Sequence, residues 1–203
     1  TLHADTDSHT SVRLARVLLT ESYGITPEVE PLSAEHYNPG RADAETLLLI
    51  GDKVITAAPD RATYPHQLDA GEAWKQLTGL PFVFATWLVR QESTAETLGD
   101  LPTRMADVLE HNLQQLDTIA ADHAETFGWP TDTATHYLRD LLRYRIGPPQ
   151  LEAIRRYLSL CGRHGLNPAG RELNVLPGIS SEPVLTGVLM LSSPPFRTGV
   201  IHE

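Results

Sequence analysis

Thr1-Leu2-His3-Ala4-Asp5-Thr6-Asp7-Ser8-His9-Thr10-Ser11-Val12 passes from a short strand candidate, through a cluster of polar side chains, into a helix. Asp5, Thr6, Asp7 and Ser8 are the residue types that cap helix N-termini. Residues 10–23 then carry Val12, Leu14, Val17, Leu18 and Leu19 as an apolar face before Gly24 ends the pattern. Residues 46–50 are almost continuously apolar, which predicts a strand buried on both faces, stopped by Gly51-Asp52. A short helix is expected over residues 71–78 and a second buried strand over residues 82–89. Alternating strand and helix signals over residues 1–90 mark an α/β lobe.

From about residue 96 the pattern becomes helical. Met105, Val108, Leu109, Asn112, Leu113, Leu116 and Ile119 recur at three- and four-residue steps until Gly128-Trp129-Pro130 breaks them. Two more helices are predicted, over residues 133–144 and 150–163, separated by Gly147-Pro148-Pro149. The last segment, residues 173–200, returns to strand chemistry punctuated by Pro177, Pro183, Pro194 and Pro195.

Composition narrows the function classes. The chain has 203 residues, 41% hydrophobic and 21% charged, the balance of an ordinary globular protein. Its net charge of −10 would repel nucleic acid and anionic lipid, so neither is an expected partner. A small anionic substrate stays compatible, because a helix N-terminus or one local cation can hold a carboxylate inside a negative protein. Cys161 is the single cysteine, which fits a reducing compartment. The longest apolar run, residues 184–191, includes Thr186 and Gly187 and is too short to span a bilayer. No charged-then-apolar leader opens the sequence, so the expected location is the cytoplasm. Nine histidines show no ligand spacing such as His-Glu-x-x-His, and no phosphate or dinucleotide loop is present, so neither a metal nor an organic cofactor is expected.

Three constellations could carry chemistry. Ser8, Thr10 and Ser11 put hydroxyls and free backbone N–H groups at a helix start, where a carboxylate could be cradled; the same residues also read as a plain cap. Asp52 follows Gly51 at the carboxyl end of a predicted strand, where open α/β sheets place their ligand crevice; it could orient a ligand or cap the next turn. Phe82, Phe84 and Trp87 lie on an aromatic segment reached through Gly79-Leu80-Pro81, and could wall a pocket for a flat ring or fill the core.

Taken together, Asp5-Thr6-Asp7-Ser8-His9-Thr10-Ser11-Val12, Leu48-Leu49-Ile50-Gly51-Asp52 and Gly71-Glu72-Ala73-Trp74-Lys75-Gln76-Leu77-Thr78-Gly79-Leu80-Pro81-Phe82-Val83-Phe84-Ala85-Thr86-Trp87 resemble the menaquinone-biosynthesis family that contains chorismate dehydratase. The third stretch is the specific one; it looks like the dehydratase branch, because the sibling branch that cyclises dehypoxanthine futalosine usually carries a Gly-rich stretch after its Gly-Leu-Pro. Tyr144-Arg145-Ile146-Gly147 resembles part of the family's closing helices. The resemblance covers about residues 1–170.

It implies an α/β, type II periplasmic-binding-protein-like fold of two lobes with a C-terminal helical block. Residues 1–90 would form one α/β lobe, residues 91–170 a helical block returning to the other lobe, and residues 171–203 a strand-rich tail of that other lobe. The implied activity is that of a carbon–oxygen lyase, dehydrating chorismate to 3-[(1-carboxyvinyl)oxy]benzoate in the futalosine pathway without metal or cofactor. Ser8, Thr10, Ser11, Asp52, Phe82 and Trp87 would bind the substrate.

Two departures from the family pattern stand out. A Tyr-Leu-Asn type motif, whose Asn is a candidate catalytic group, has no match before Thr1, and the chain opens without Met; an incomplete N-terminal lobe is therefore expected. The tail over residues 177–192 resembles the family's Ser-x-Gly-Pro-Val-x-Ser strand, which normally precedes the Asp5 segment. There Thr186 takes the place of a functional Ser, making it the catalytic candidate, and Glu182 that of a Gly. The chain order is rearranged, or the sequence is a piece of a longer one, or the tail likeness is chance. In each case Val184, Leu185, Val188, Leu189, Met190 and Leu191 need a sheet to bury them, in this chain or in the partner of a homodimer. A binding protein for a small carboxylate and the sibling cyclase are the competing readings.

Overall fold

The computed structural model describes residues 1–5, 8–32, 44–90, 92–167, 173–175 and 188–191. The opening segment folds as its sequence predicts. Strand β1 (Leu2–Ala4) is the middle strand of a parallel sheet, paired with β2 (Val29–Pro31) on one side and β3 (Leu47–Leu48) on the other. Leu2 and Ala4 are buried while His3 faces the other way, the alternation a pleated strand requires.

Helix α1 (His9–Tyr23) begins where Ser8 caps it and ends at Gly24, whose φ of 67° closes the helix at little steric cost. Its apolar face buries Leu14, Val17 and Leu18 against Trp74 of α3 (Ala70–Thr78) and Leu160 and Cys161 of α8 (Pro148–Arg163). At roughly 1.5–3 kcal/mol for each large buried side chain, this cluster is the main stabilising feature of the described fold. At the far end of the pair, Glu21 on α1 meets His164 at 2.6 Å and Arg163 at 3.3 Å.

Trp74 explains why the Gly-Glu-Ala-Trp to Gly-Leu-Pro stretch has its composition. Its ring is fully buried, and its indole N–H donates to the Pro81 carbonyl at 3.2 Å, so the turn after α3 is tied to the core. Gly79 supplies the left-handed residue, φ 74°, that lets the chain reverse there. Phe82 follows the turn inward and packs edge-on to Trp74 and to Tyr157.

That inward pull corrects one expectation. The apolar pattern over residues 82–89 predicts a continuous buried strand, but only β4 (Trp87–Val89) is extended in a ladder, and Phe84, Trp87 and Leu88 are 58%, 59% and 53% exposed. Phe82 is committed to the helical core, so a ladder begins only where a partner strand arrives. The expected strand over residues 46–50 is likewise shorter, and β3 is half-buried at the sheet's edge among the described residues.

The partner of β4 is the tail. β6 (Val188–Leu191) runs parallel to β4, with Trp87 opposite Val188, and antiparallel to β5 (Leu173–Val175). At these four residues the tail pairs into a sheet within this chain, while Val184 and Leu185 lie outside the described residues. Thr186 and Glu182 lie outside the described residues.

The helical block comprises α4 (Ala95–Leu98), α5 (Leu101–Leu113), α6 (Leu116–His123), a 3₁₀ turn (Glu125–Phe127) and α7 (Thr131–His136) running on as a π-turn (Tyr137–Leu141). The helix predicted over 133–144 therefore stops sooner; Leu142 turns extended and Tyr144 folds back to donate to the Leu138 carbonyl at 2.9 Å. Helix α8 starts two residues before the predicted position, since Pro148 and Pro149 suit a first turn that has no use for their missing N–H groups. A second apolar cluster, Ala120, Ala124 and Ala134 with Trp129 and Leu138 against it, holds α6 and α7 together. Among the described residues no helix is long and apolar enough to cross a membrane.

Candidate functional site

Parallel pairing of β1 and β3 brings their carboxyl ends to one edge of the sheet, the side on which open α/β sheets hold ligands. Asp5 leaves β1 there, with its N–H bonded to the Leu48 carbonyl and its side chain only 6% exposed. After β3 the chain reverses at Gly51, φ 64°, and enters the short helix α2 (Lys53–Thr56). The reversal carries the Lys53 ammonium to 2.6 Å from Asp5 Oδ2.

Ser8 stands three residues beyond Asp5. Its Oγ accepts the Ser11 N–H at 3.2 Å and lies 3.1 Å from Ser11 Oγ. The capping role of Ser8 is thus satisfied by the backbone, whereas the Ser11 hydroxyl is the neighbour that can exchange this contact for a ligand. The Thr10 carbonyl accepts the Tyr157 hydroxyl at 3.1 Å. Burial pushes the Tyr157 phenol above its ordinary range, so it stays protonated and donates to that carbonyl. Burial likewise raises the Cys161 thiol, which argues against a reactive thiolate.

Asp52 precedes α2, yet its side chain makes no capping bond. Its Oδ1 instead accepts the indole N–H of Trp129 at 2.8 Å, from the helical block 77 positions away. Among the described residues no trio of His, Cys, Asp or Glu converges to form a metal site.

Residues 1–163 match the family model for menaquinone biosynthesis. This chain belongs to the menaquinone-biosynthesis family. Over 171 residues it is 29% identical to a chorismate dehydratase of Thermus thermophilus, an alignment covering 77% of this chain and 61% of the relative. The chain thus spans less than two thirds of that relative's length.

Within the menaquinone-biosynthesis match lie all the candidate residues except Thr186. Ser8 pairs with Ser11 and Lys53 with Asp5, Asp52 precedes Lys53 in the chain, and Phe82 connects to Thr10 through Tyr157. Trp87 stands on the second sheet, well exposed. Thr186 lies outside the described residues. Three members of the arrangement escape a reading of the sequence alone: Lys53, Trp129 and Tyr157. A cation directly after Gly51-Asp52 is a usable signal for the first. Nothing local ties Trp129 to Asp52 or Tyr157 to Thr10, since both contacts are long-range.

Proposed function

We propose that this chain acts as a carbon–oxygen lyase on chorismate, giving 3-[(1-carboxyvinyl)oxy]benzoate and water in the futalosine route to menaquinone. The reading is carried by two features that follow the paired parallel strands: the Ser8–Ser11 hydroxyls at the start of α1, after β1, and the Lys53 ammonium on Asp5, after β3. The likeness to a chorismate dehydratase supports it. Chorismate is a dianion, and a protein of net charge −10 needs a local cation and hydroxyl donors to hold it.

In this reading Ser11 and Thr10 bind a substrate carboxylate, Lys53 offsets its charge, and Asp52 orients the ring hydroxyl. Phe82 shapes the ring pocket from behind, Trp87 covers it, and Thr186 acts in the position of the family's Ser. A base takes a ring C–H proton, the bond between the ring and its hydroxyl oxygen breaks, and the departing hydroxide takes up a proton to leave as water. Aromatisation drives the step, so the protein's task is positioning and proton transfer. The lobes would be those of a type II periplasmic-binding-protein-like fold, divided near residues 90 and 170, working in the cytoplasm.

The test is incubation of purified protein with chorismate and mass analysis of the products. A species lighter by one water, absent without protein, is expected. Bound but unconverted chorismate would leave a carboxylate-binding protein in place of an enzyme.

A further inference from the structure

We propose that Trp129 is a positioning residue for the candidate site, fixing the direction of the Asp52 carboxylate and, through the adjoining turn, the seat of Lys53 on Asp5. The inference rests on the reading above that the β1–β3 edge is where substrate binds.

Four observations converge on it. The indole N–H of Trp129 donates to Asp52 Oδ1 at 2.8 Å, joining the helical block to the loop after β3. The ring is itself held: it packs on the Ala120, Ala124 and Ala134 cluster, lies 5.2 Å from the Tyr137 ring, and its backbone N–H is bonded to the Ala124 carbonyl at 2.9 Å. The two elements also meet one residue earlier, where a Cβ on Gly128 would lie 3.5 Å from the Thr56 methyl. Finally, Asp52 does not cap its own helix, so the indole is the group that orients its carboxylate among the bonds described.

Consequences for Lys53 follow from adjacency. Asp52 and Lys53 are consecutive, and Lys53 reaches back to Asp5. An anchor on Asp52 limits how far the start of α2 can swing, and so keeps the ammonium over the strand ends. A solvent-exposed indole–carboxylate bond contributes little to global stability, which allows positioning and folding to be separated by experiment.

Trp129→Phe keeps the ring packing and removes the donor; Asp52→Ala removes the acceptor without touching the helical block. In ¹H–¹⁵N spectra of the full chain, the indole resonance that disappears in Trp129→Phe is expected to be the one that shifts in Asp52→Ala. With chorismate as substrate, each variant should lose about tenfold in kcat/KM, and the double variant should be no worse than the poorer single one. An indole resonance indifferent to Asp52→Ala, or losses that simply add, would overturn the proposal. If the wild-type chain does not convert chorismate, the proposed function falls, and the indole resonance still decides whether Trp129 holds Asp52. Should Trp129→Phe fail to fold, Asp52→Ala read against the Trp74 and Trp87 resonances gives the same answer.

Discussion

Lys53 and Asp5 form an ion pair at 2.6 Å across two neighbouring parallel strands, with the carboxylate buried and the ammonium about half exposed. The asymmetry makes removal of the lysine the costly change, since it leaves a buried charge without this partner. Lys53→Met is expected to lower stability by about 1–3 kcal/mol, discounted for the lysine's exposure. Urea denaturation of the two proteins checks it; a midpoint unchanged by Lys53→Met would show that water already satisfies Asp5.

Ser8 and Ser11 share a hydrogen bond but have separable roles. Ser8→Ala should cost about 1 kcal/mol in stability through loss of the α1 cap. Ser11→Ala should leave stability almost unchanged while weakening chorismate binding about ten- to a hundredfold, the cost of one charge-assisted hydrogen bond. Calorimetric titration alongside thermal melts separates the two effects; equal affinity in Ser11→Ala and wild type would return the cluster to a plain helix cap.

Trp74 joins α1, α3, α8 and the Gly79-Leu80-Pro81 turn, so its truncation opens a cavity and orphans the Pro81 carbonyl. Trp74→Ala should cost at least about 3–5 kcal/mol, enough to unfold a marginal domain. Trp74→Phe should cost less but loosen the turn. Circular dichroism melts of both variants test this ranking, and a Trp74→Phe melt below that of Trp74→Ala would contradict it.

Burial raises both the Tyr157 phenol and the Cys161 thiol above their ordinary values of 10.0 and 9.0. The unfolded chain therefore gives up these protons first, and stability present below about pH 9 is lost progressively as pH rises through the alkaline range. Tyr157→Phe should flatten that decline, at the cost of the hydrogen bond to the Thr10 carbonyl at neutral pH. Melting temperatures from pH 7 to 11 provide the check; parallel curves for the two proteins would exclude the phenol as a contributor.

Local chemistry explains which features are legible in the sequence. Helix α1 is readable because its cap at Ser8, its apolar face and its Gly24 stop all lie within one short run of neighbouring residues, and the turn at Gly79 likewise needs only its own glycine. The aromatic segment after that turn departs from its strand-like pattern because Phe82 answers to Trp74 and Tyr157. Asp52 offers two readings, a cap or a site residue, and its actual partner, Trp129, sits in another part of the chain. The Asp5–Lys53 pair shows the same limit: Asp5 reads locally as one of a group of capping residues, and only the parallel pairing of β1 with β3 brings Lys53 to it.

Conversion of chorismate by wild-type protein and by Lys53→Met, followed side by side by mass spectrometry at substrate concentrations spanning KM, probes the proposed site directly. The expected result is formation of the enolpyruvyl benzoate by the wild type and a loss of about tenfold or more in kcat/KM for the variant in its folded form. No product from the wild-type chain, or equal rates from the two proteins, would contradict the assignment of this corner as the place where chorismate is held.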